Sequence, residues 1–404
     1  MTTAVNRGND DNDPKKKAEA AAAEAKTEAK EAAAQAQDKA EEVADKAADA
    51  FEEVKEKVSS KVDELTDAAE KKAEEATESK ADATAPKAAA GSTNGNGTRQ
   101  YENLKSIPDM KAINRKIFVS AIPGIGGTRE AKQDPTSAIQ VNGVKVDKAN
   151  LADYTSATGL RLGNDLPPTY FFVLSFPLVM ELLSRPDFPY AAMGAVHVTN
   201  VIEQTRTLKV DDTYTIRSHG ENLRPHRRGL LVDIVTEIFV EGEENGEPVW
   251  RQTSTFLGMG AKFAKSANVS VTTRAEDSGK VLPKPELPEF KPNARWRWTG
   301  SDVDAYVEAS NDHNPIHTSN LGAKLFGFPA RIAHGMYSAA AVLAPLEGRL
   351  PQALRYSVEF VKPVVIPAQV ALWTIKNEDG SYDIQLRGSS KPDKLHLNAE
   401  ITPL

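Results

Sequence analysis

The chain has 404 residues, a formal net charge of −7 and no cysteine. This length allows two domains with sizeable cores, and the lack of cysteine excludes disulfide bonds and thiolate–metal sites and favours a cytoplasmic location. Residues 1–98 hold 23 acidic and 15 basic residues, so the rest of the chain is nearly neutral and lacks the basic excess of nucleic-acid-binding proteins. We expect no nucleic-acid partner, no signal peptide and no transmembrane helix.

The first 98 residues form a low-complexity acidic tail that is rich in Ala, Lys and Glu. From Val43 to Ala69, apolar residues recur at steps of four and three that repeat every eleven positions, a spacing typical of a nearly straight amphipathic helix. The stripe has too few large side chains for a globular core, which favours a solvated helix or a disordered segment that ends in a flexible linker. Two alternatives stay open: a helix that binds a partner helix, and a helix that lies on a lipid surface.

The rest of the chain divides into two halves that share a weak repeat. The alternating segment that starts at Ile202 aligns with the one that starts at Val358. A long apolar helix candidate precedes each segment, and several β-strand candidates follow it. One buried helix followed by antiparallel strands, twice over, predicts an α+β fold. We therefore predict two similar domains, 99–277 and 294–404, joined by a Pro-rich linker over 278–293.

The most informative segment of the second half is SNDHNPIHTSNLGAKLFGFPARIAHGM. In it, Asp312 and His317 flank an Asn-Pro step through which a helix cannot continue, because Pro315 lacks an N–H group. We therefore place both side chains on a turn after a helix, followed by a short helix over 321–326. Gly335 then opens an apolar run, and a glycine at a helix N-terminus can bring its N–H group up to a negatively charged atom. Together these groups are suited to acid–base chemistry next to a carbonyl group.

This segment resembles the D-x-N-P-x-H, G-F and I-A-H-G-M pattern of the MaoC-like, hydratase-2 family of (R)-specific enoyl-thioester hydratases and 3-hydroxyacyl-thioester dehydratases. The matching residues, in the order of the pattern, are Asp312, Asn314, Pro315, His317, Gly327, Phe328, Ile332, Ala333, His334, Gly335 and Met336. Asn311 replaces a glycine that is usual in the family, and asparagine tolerates left-handed backbone angles better than most residues. The resemblance implies a double hot-dog fold, in which each antiparallel sheet wraps around a central helix.

The resemblance also implies the reaction: hydration of trans-2-enoyl thioesters, or dehydration of (R)-3-hydroxyacyl thioesters, carried on coenzyme A or acyl carrier protein. We favour the dehydration step of lipid synthesis, without a cofactor. Asp312 and His317 would activate one water molecule, and the Gly335 N–H group would stabilise charge on the thioester oxygen. Asn314 would hold the turn or position water, in a supporting role. Further contacts with the substrate are expected from Arg331, Phe328 and Met336.

The first half lacks such a segment, so we expect one active site per chain. Its apolar helix candidate places Pro177, which has no N–H group, where the second half has Gly335. No acid-Asn-Pro-x-His run precedes it. The first half is therefore interpreted as a degenerate hot-dog domain that supplies a wall for the acyl chain. Either a monomer or a homodimer is compatible with a chain that already contains both domains.

Two other functions stay open from the sequence. A hot-dog acyl-thioesterase would direct water at C1 of the acyl group instead of C3. A non-catalytic acyl-thioester-binding or scaffold protein would need neither Asp312 nor His317, and both are present.

A metal site deserves separate consideration, because His313 and His317 are spaced i, i+4 beside Asp312. Pro315 breaks the helix that this spacing needs, and no third ligand stands nearby in the sequence, so we expect no metal. His313 is expected to be an exposed turn residue and His334 to pack against its neighbours. A basic cluster in the first half is interpreted as a solvated turn, with phosphate contacts as the alternative: Arg224, Arg227 and Arg228.

Overall fold

The structure is a computed structural model, and it describes residues 99–120 and 129–404. The predicted acidic tail, 1–98, lies outside the described residues. The helices are α1 Met110–Ser120, α2 Lys148–Thr158, α3 Tyr170–Ser184, α4 Val269–Thr272, α5 Gly300–Ser310, α6 Pro315–Thr318, α7 Asn320–Leu325 and α8 Gly335–Ala341. The strands are β1 Glu102–Leu104, β2 Ala138–Lys145, β3 Ala195–Gln204, β4 Thr213–His226, β5 Gly229–Val240, β6 Trp250–Met259, β7 Ala294–Trp298, β8 Leu354–Phe360, β9 Ala368–Lys376, β10 Tyr382–Gly388 and β11 Leu395–Pro403. Among these helices, none combines the length and the apolar character that crossing a bilayer requires.

The strands form one sheet in the order β1-β2-β4-β5-β6-β3-β8-β11-β10-β9-β7. Neighbouring strands are antiparallel except β1 and β2. At the centre, β3 of the first half pairs with β8 of the second, with Ile202 opposite Tyr356. Outward from this pair, the first half runs β3-β6-β5-β4-β2 and the second β8-β11-β10-β9-β7, which is the same connectivity twice. The predicted repeat and the α+β double hot-dog fold are therefore confirmed.

The apolar helix candidate of the first half forms α3, which packs on the inner face of the sheet. Phe171 lies against the rings of Tyr214 and Trp250, with centroids 5.0 and 5.5 Å apart. Pro177 lies inside this helix, whereas Gly335 is the first residue of α8. The predicted correspondence of Pro177 with Gly335 is therefore wrong, because the alignment of two apolar runs does not fix where each helix begins.

The second apolar candidate is shorter than predicted. The helix α8 ends at Ala341, and only a 3₁₀ turn, Ala344–Leu346, follows it. Pro345 explains this ending, because proline disfavours helical geometry at the residue before it and removes a donor from the helix. The helix still packs on the sheet, where the Tyr356 hydroxyl donates to the Ala339 carbonyl oxygen at 2.8 Å.

Between α4 and β7 the chain crosses the face of the sheet opposite α8 without forming a helix or strand. The Val281 N–H donates to the Glu359 carboxylate of β8 at 2.7 Å. Further on, the Gln385 side chain of β10 donates to a carbonyl oxygen of this segment at 3.0 Å, and the Trp373 indole of β9 does so at 2.9 Å. The connecting segment is thus tied to successive strands of the second half. The division of the chain at 278–293 stays a prediction.

Candidate active site

The end of α5 places Asp312. The helix begins at a cap in which the Thr299 N–H donates to the Asp302 carboxylate at 2.7 Å, and it ends at Asn311, whose φ is 57°. This left-handed conformation agrees with the prediction that asparagine keeps the turn. Asp312 follows directly, and its carboxylate accepts a hydrogen bond from the Asn314 N–H at 3.2 Å. The Asp312 side chain is 20% exposed, so solvent still reaches it.

His317 lies on the single-turn helix α6 instead of the predicted turn. The Asn314 side chain caps this helix by accepting from the Ile316 N–H at 3.3 Å, and Pro315 is its first residue. Proline is favoured there because that position needs no N–H donor, so the residue that ends one helix starts the next. The His317 Nδ1 lies 2.8 Å from the Ile332 carbonyl oxygen. A carbonyl can only accept, so Nδ1 carries the hydrogen and Nε2 keeps its lone pair.

Three side chains come together at this point: Asp312, His317 and His334. One carboxylate oxygen and one ring nitrogen from each histidine all lie within 4.8 Å of one another. Since a hydrogen bond spans about 2.8 Å, a single water molecule can contact two groups at this separation. His313 is exposed, as predicted. The sequence reasoning missed His334 as a member of the cluster, although its place next to Gly335 in the motif was a usable signal.

Burial shifts the pKa values of the two predicted acid–base groups in opposite directions. It raises the pKa of Asp312 above its ordinary 3.8, although nearby His317 opposes this shift. It lowers the pKa of His317 below its ordinary 6.5, against the opposing effect of Asp312. Desolvation disfavours the charged form of each group, so burial favours a neutral His317. A neutral imidazole can accept a proton from water, which suits acid–base catalysis.

The same cluster requires a correction to the argument about metals. The sequence reasoning found no third ligand nearby, yet His334 lies beside Asp312 and His317. The two imidazole rings, however, stack with centroids 3.6 Å apart and an interplanar angle of 27°. Stacked rings keep their in-plane lone pairs in two separate, nearly parallel planes, whereas a metal ion bound by both rings must lie close to both planes. The geometry therefore favours a water molecule over a metal ion between them.

Gly335 is the first residue of α8 and is partly exposed, between the buried residues His334 and Met336. A Cβ atom at Gly335 would lie 2.9 Å from the Phe360 ring, so only glycine fits without a shift. N–H groups in the first turn of a helix have no acceptor within the helix, which leaves that of Gly335 available to a ligand. Met336 is 3% exposed and belongs to the core, whereas Phe328 is partly exposed.

Arg331 contacts protein groups and does not extend freely into solvent. Its guanidinium donates to the Gly300 carbonyl oxygen, to the Asp304 carboxylate at 2.8 Å and to the Thr318 carbonyl oxygen at 3.4 Å. These contacts tie α5 to α6 and hold the segment that carries His317. The contact between Arg331 and the substrate stays a prediction.

The basic cluster of the first half is only partly available for phosphate contacts. Arg224 is paired with Asp277 at 2.6 Å and with Asp233 at 3.0 Å. Arg227 and Arg228 are exposed at the turn between β4 and β5. The interpretation as a solvated turn therefore fits the last two residues, and Arg224 has a structural role.

The first half lacks the acid–base pair. The structure supports this by a comparison of equivalent helices, whereas the argument from Pro177 is wrong. Helices α2 and α5 occupy equivalent places, and each has eleven residues. Each is followed by a residue with positive φ, Gly159 after α2 and Asn311 after α5. The next residue is Leu160 in the first half and Asp312 in the second. No histidine occurs in the ten residues from 160 to 169. These differences support one active site per chain.

Comparison with known proteins finds relatives that are named as dehydratases and hydratases. The profile of the MaoC like domain matches residues 285–391. The 3-hydroxyacyl-thioester dehydratase X of Mycobacterium tuberculosis is 45% identical over 276 residues, which cover 67% of this chain and 91% of that protein. The peroxisomal enoyl-CoA hydratase 2 of Arabidopsis thaliana is 25% identical over 182 residues, which cover 44% of this chain and 57% of that protein.

Solved structures agree with this picture. The crystal structure of HtdX of Mycobacterium tuberculosis has a TM-score of 0.56 and 42% identity and covers 66% of this chain and 100% of that one. A MaoC-like dehydratase from Phytophthora capsici has a TM-score of 0.52 at 18% identity and covers 66% of this chain and 95% of that one, which shows a likeness of fold alone.

Proposed function

The chain belongs to the MaoC-like dehydratase family, and on this premise we propose that it is a hydro-lyase of fatty-acid metabolism. It adds water reversibly to trans-2-enoyl thioesters and removes water from (R)-3-hydroxyacyl thioesters. The observation that carries the proposal is the cluster of Asp312, His317 and His334, in which a carboxylate oxygen and a ring nitrogen of each histidine lie within 4.8 Å of one another. Gly335 directly follows His334 in the chain.

In the hydration direction, Asp312 and the free Nε2 of His317 hold one water molecule between them. Its oxygen attacks C3 while its proton passes to this pair, and the electron pair of the C2–C3 double bond moves toward the thioester oxygen. The pair returns a proton to C2 on the same face, which gives syn addition. Such acid–base assistance is worth roughly 10²- to 10⁴-fold in rate.

The negative charge that develops on the thioester oxygen is received by the Gly335 N–H group. A single donor of this kind is worth roughly 10²- to 10³-fold in rate. Asn314 acts indirectly, because it caps the helix that carries His317. Addition of water changes no oxidation state, so the reaction needs no redox cofactor. Dehydration is the same path in reverse.

The substrate is an acyl thioester on coenzyme A or acyl carrier protein, and the first half supplies a wall for its acyl chain. We propose dehydration in lipid synthesis as the direction in the cell, which fits the name of the relative that is 45% identical. A hot-dog thioesterase is the second candidate, since it would also use an activated water molecule, but at C1.

One assay separates these functions. Purified full-length protein is mixed with a trans-2-enoyl-CoA, and the absorbance of the conjugated enoyl group is followed together with the release of free thiol. Loss of conjugation without thiol supports the hydratase, and release of thiol supports the thioesterase. A protein that does neither is a binder or scaffold, and the proposal is then wrong. The Asp312→Asn variant, which keeps the shape of the side chain, serves as the matched control.

A further inference from the structure

His334 contacts several neighbouring groups in the candidate active site, although it has no role in the mechanism proposed above. Its side chain is 5% exposed. Its ring stacks on that of His317 with centroids 3.6 Å apart, and the ring of Tyr306 lies 5.0 Å away at an interplanar angle of 51°. A buried imidazole thus lies against His317, one of the two proposed acid–base groups, and this contact needs an explanation.

The hydrogen bonds of His334 point to Asp312. The Nε2 atom lies 3.1 Å from the Asp312 carbonyl oxygen and 3.6 Å from its carboxylate oxygen Oδ2. Because a carbonyl oxygen can only accept, Nε2 must carry the hydrogen. The N–H group thus fixes the main chain of Asp312 and also faces its carboxylate. The other nitrogen, Nδ1, is buried and has no hydrogen-bond partner among the described residues.

We propose that His334 is a positioning residue that acts through Asp312 and His317. Its N–H group fixes the turn at Asp312, and its ring supports the face of the His317 ring, so that both groups stay within reach of one water molecule. The inference rests on the proposed function, because this geometry matters for rate only if Asp312 and His317 activate water.

The environment of His334 also explains why it is not itself an acid or base. Burial holds the pKa of His334 well below its ordinary range, and nearby His317 lowers it further. The other ionisable groups that act on it are Asp312, which accepts its hydrogen bond, and His313 and Arg331, which both lower its pKa. A neutral ring leaves His317 free to take up a proton without repulsion from a second cation beside it.

Two variants separate the N–H group from the ring. His334→Phe keeps a flat ring and removes the donor, whereas His334→Gln places an amide N–H at a similar reach without the ring. We expect His334→Phe to lower kcat roughly 10- to 100-fold with KM within about threefold, since a misplacement of about 1 Å can cost 10²-fold. His334→Gln should recover to within about tenfold of the wild-type kcat, because it restores the hydrogen bond to Asp312.

A second measurement, the pKa of Asp312, reports on the position of the His334 N–H group and not on folding alone. Loss of the N–H group beside the Asp312 carboxylate should raise the pKa of Asp312 in His334→Phe, and His334→Gln should bring it back. This shift is read from the acid limb of kcat/KM and, without any activity, from the ¹³C carboxyl resonance of Asp312. The control is His219→Phe, which removes a buried imidazole from the first half (6% exposed) and should leave kcat and both pKa readings unchanged.

The outcomes are distinguishable. If the wild type does not hydrate enoyl thioesters, the proposed function fails, but the carboxyl resonance still tests the position of His334. An unchanged Asp312 pKa in folded His334→Phe overturns the inference, as does wild-type kcat in that variant. If one limb of the pH profile disappears and is not restored by His334→Gln, His334 is an acid or base and not a positioning residue.

Discussion

The change Gly335→Ala tests the placement of the proposed oxyanion donor. An added Cβ atom would lie 2.9 Å from two carbons of the Phe360 ring, whereas ordinary van der Waals contact begins at 3.4 Å. The Phe360 ring or the start of α8 must therefore move by about 0.5 Å, a strain typical of overpacking. The Gly335 N–H group is part of the backbone that must give way, so its direction changes.

The expected effect on rate is larger than the effect on stability. Overpacking costs about 1–3 kcal/mol, and replacing glycine in a helix returns up to about 1 kcal/mol, so the variant should fold. Complete loss of an oxyanion donor costs roughly 10²- to 10³-fold, and a displaced donor should cost less. We therefore expect kcat to fall roughly 10- to 100-fold in Gly335→Ala, with a melting temperature only a few degrees lower.

The assay is the loss of enoyl absorbance, measured for Gly335→Ala, Phe360→Leu and the double variant. Removal of the ring relieves the clash, so the double variant should recover most of the rate lost in Gly335→Ala. Such coupling between residues in contact is what a double-mutant cycle detects. Wild-type kcat in Gly335→Ala would refute the reasoning, and so would a folded double variant that recovers nothing.

Three further predictions follow from the burial of polar groups. The kcat/KM of the wild type should fall with decreasing pH along a limb that lies above 3.8, because burial raises the pKa of Asp312; a limb at 3.8 or below would contradict this. The raised pKa of Asp312 also means that its ionisation destabilises the fold as pH rises, so Asp312→Asn should melt above the wild type at pH 8, and this difference should shrink as pH falls toward 3.8. In urea unfolding, Tyr356→Phe should lose about 0.5–1.5 kcal/mol, because its hydroxyl donates to a carbonyl oxygen at 2.8 Å. Tyr306→Phe should lose nothing, because its buried hydroxyl has no partner among the described residues, and equal losses would contradict this account.

Much of the fold could be predicted from the sequence because alternation and buried apolar runs are local signals. Such signals predicted the helix α3 and the strands β3, β5, β6, β8, β9, β10 and β11. The start of each central helix could not be predicted in the same way. Pro177 was matched with Gly335 although it lies inside α3, since an apolar run shows that a helix is buried but not which residue is first.

In the candidate site, too, local features could be predicted from the sequence, whereas contacts that depend on packing could not. Asp312 and His317 could be found from their spacing around Pro315, and the left-handed turn at Asn311 followed from the tolerance of asparagine. His334 was missed as a neighbour of Asp312, because the contact is made across 22 residues and depends on how α5 and α8 pack. Arg331 was predicted to contact substrate, but its partners on α5 and α6 become visible only in three dimensions.

The most direct test of the central claim, that Asp312 and His317 act on one shared water molecule, is a double-mutant cycle on kcat/KM for enoyl-thioester hydration. Asp312→Asn and His317→Gln should each lower kcat/KM by roughly 10²- to 10⁴-fold. If both groups act on the same water molecule, the double variant should be no more than about tenfold worse than the poorer single variant, because residues that act as a unit are not additive. Losses that multiply in the double variant, or wild-type kcat/KM in either single variant, would contradict the claim.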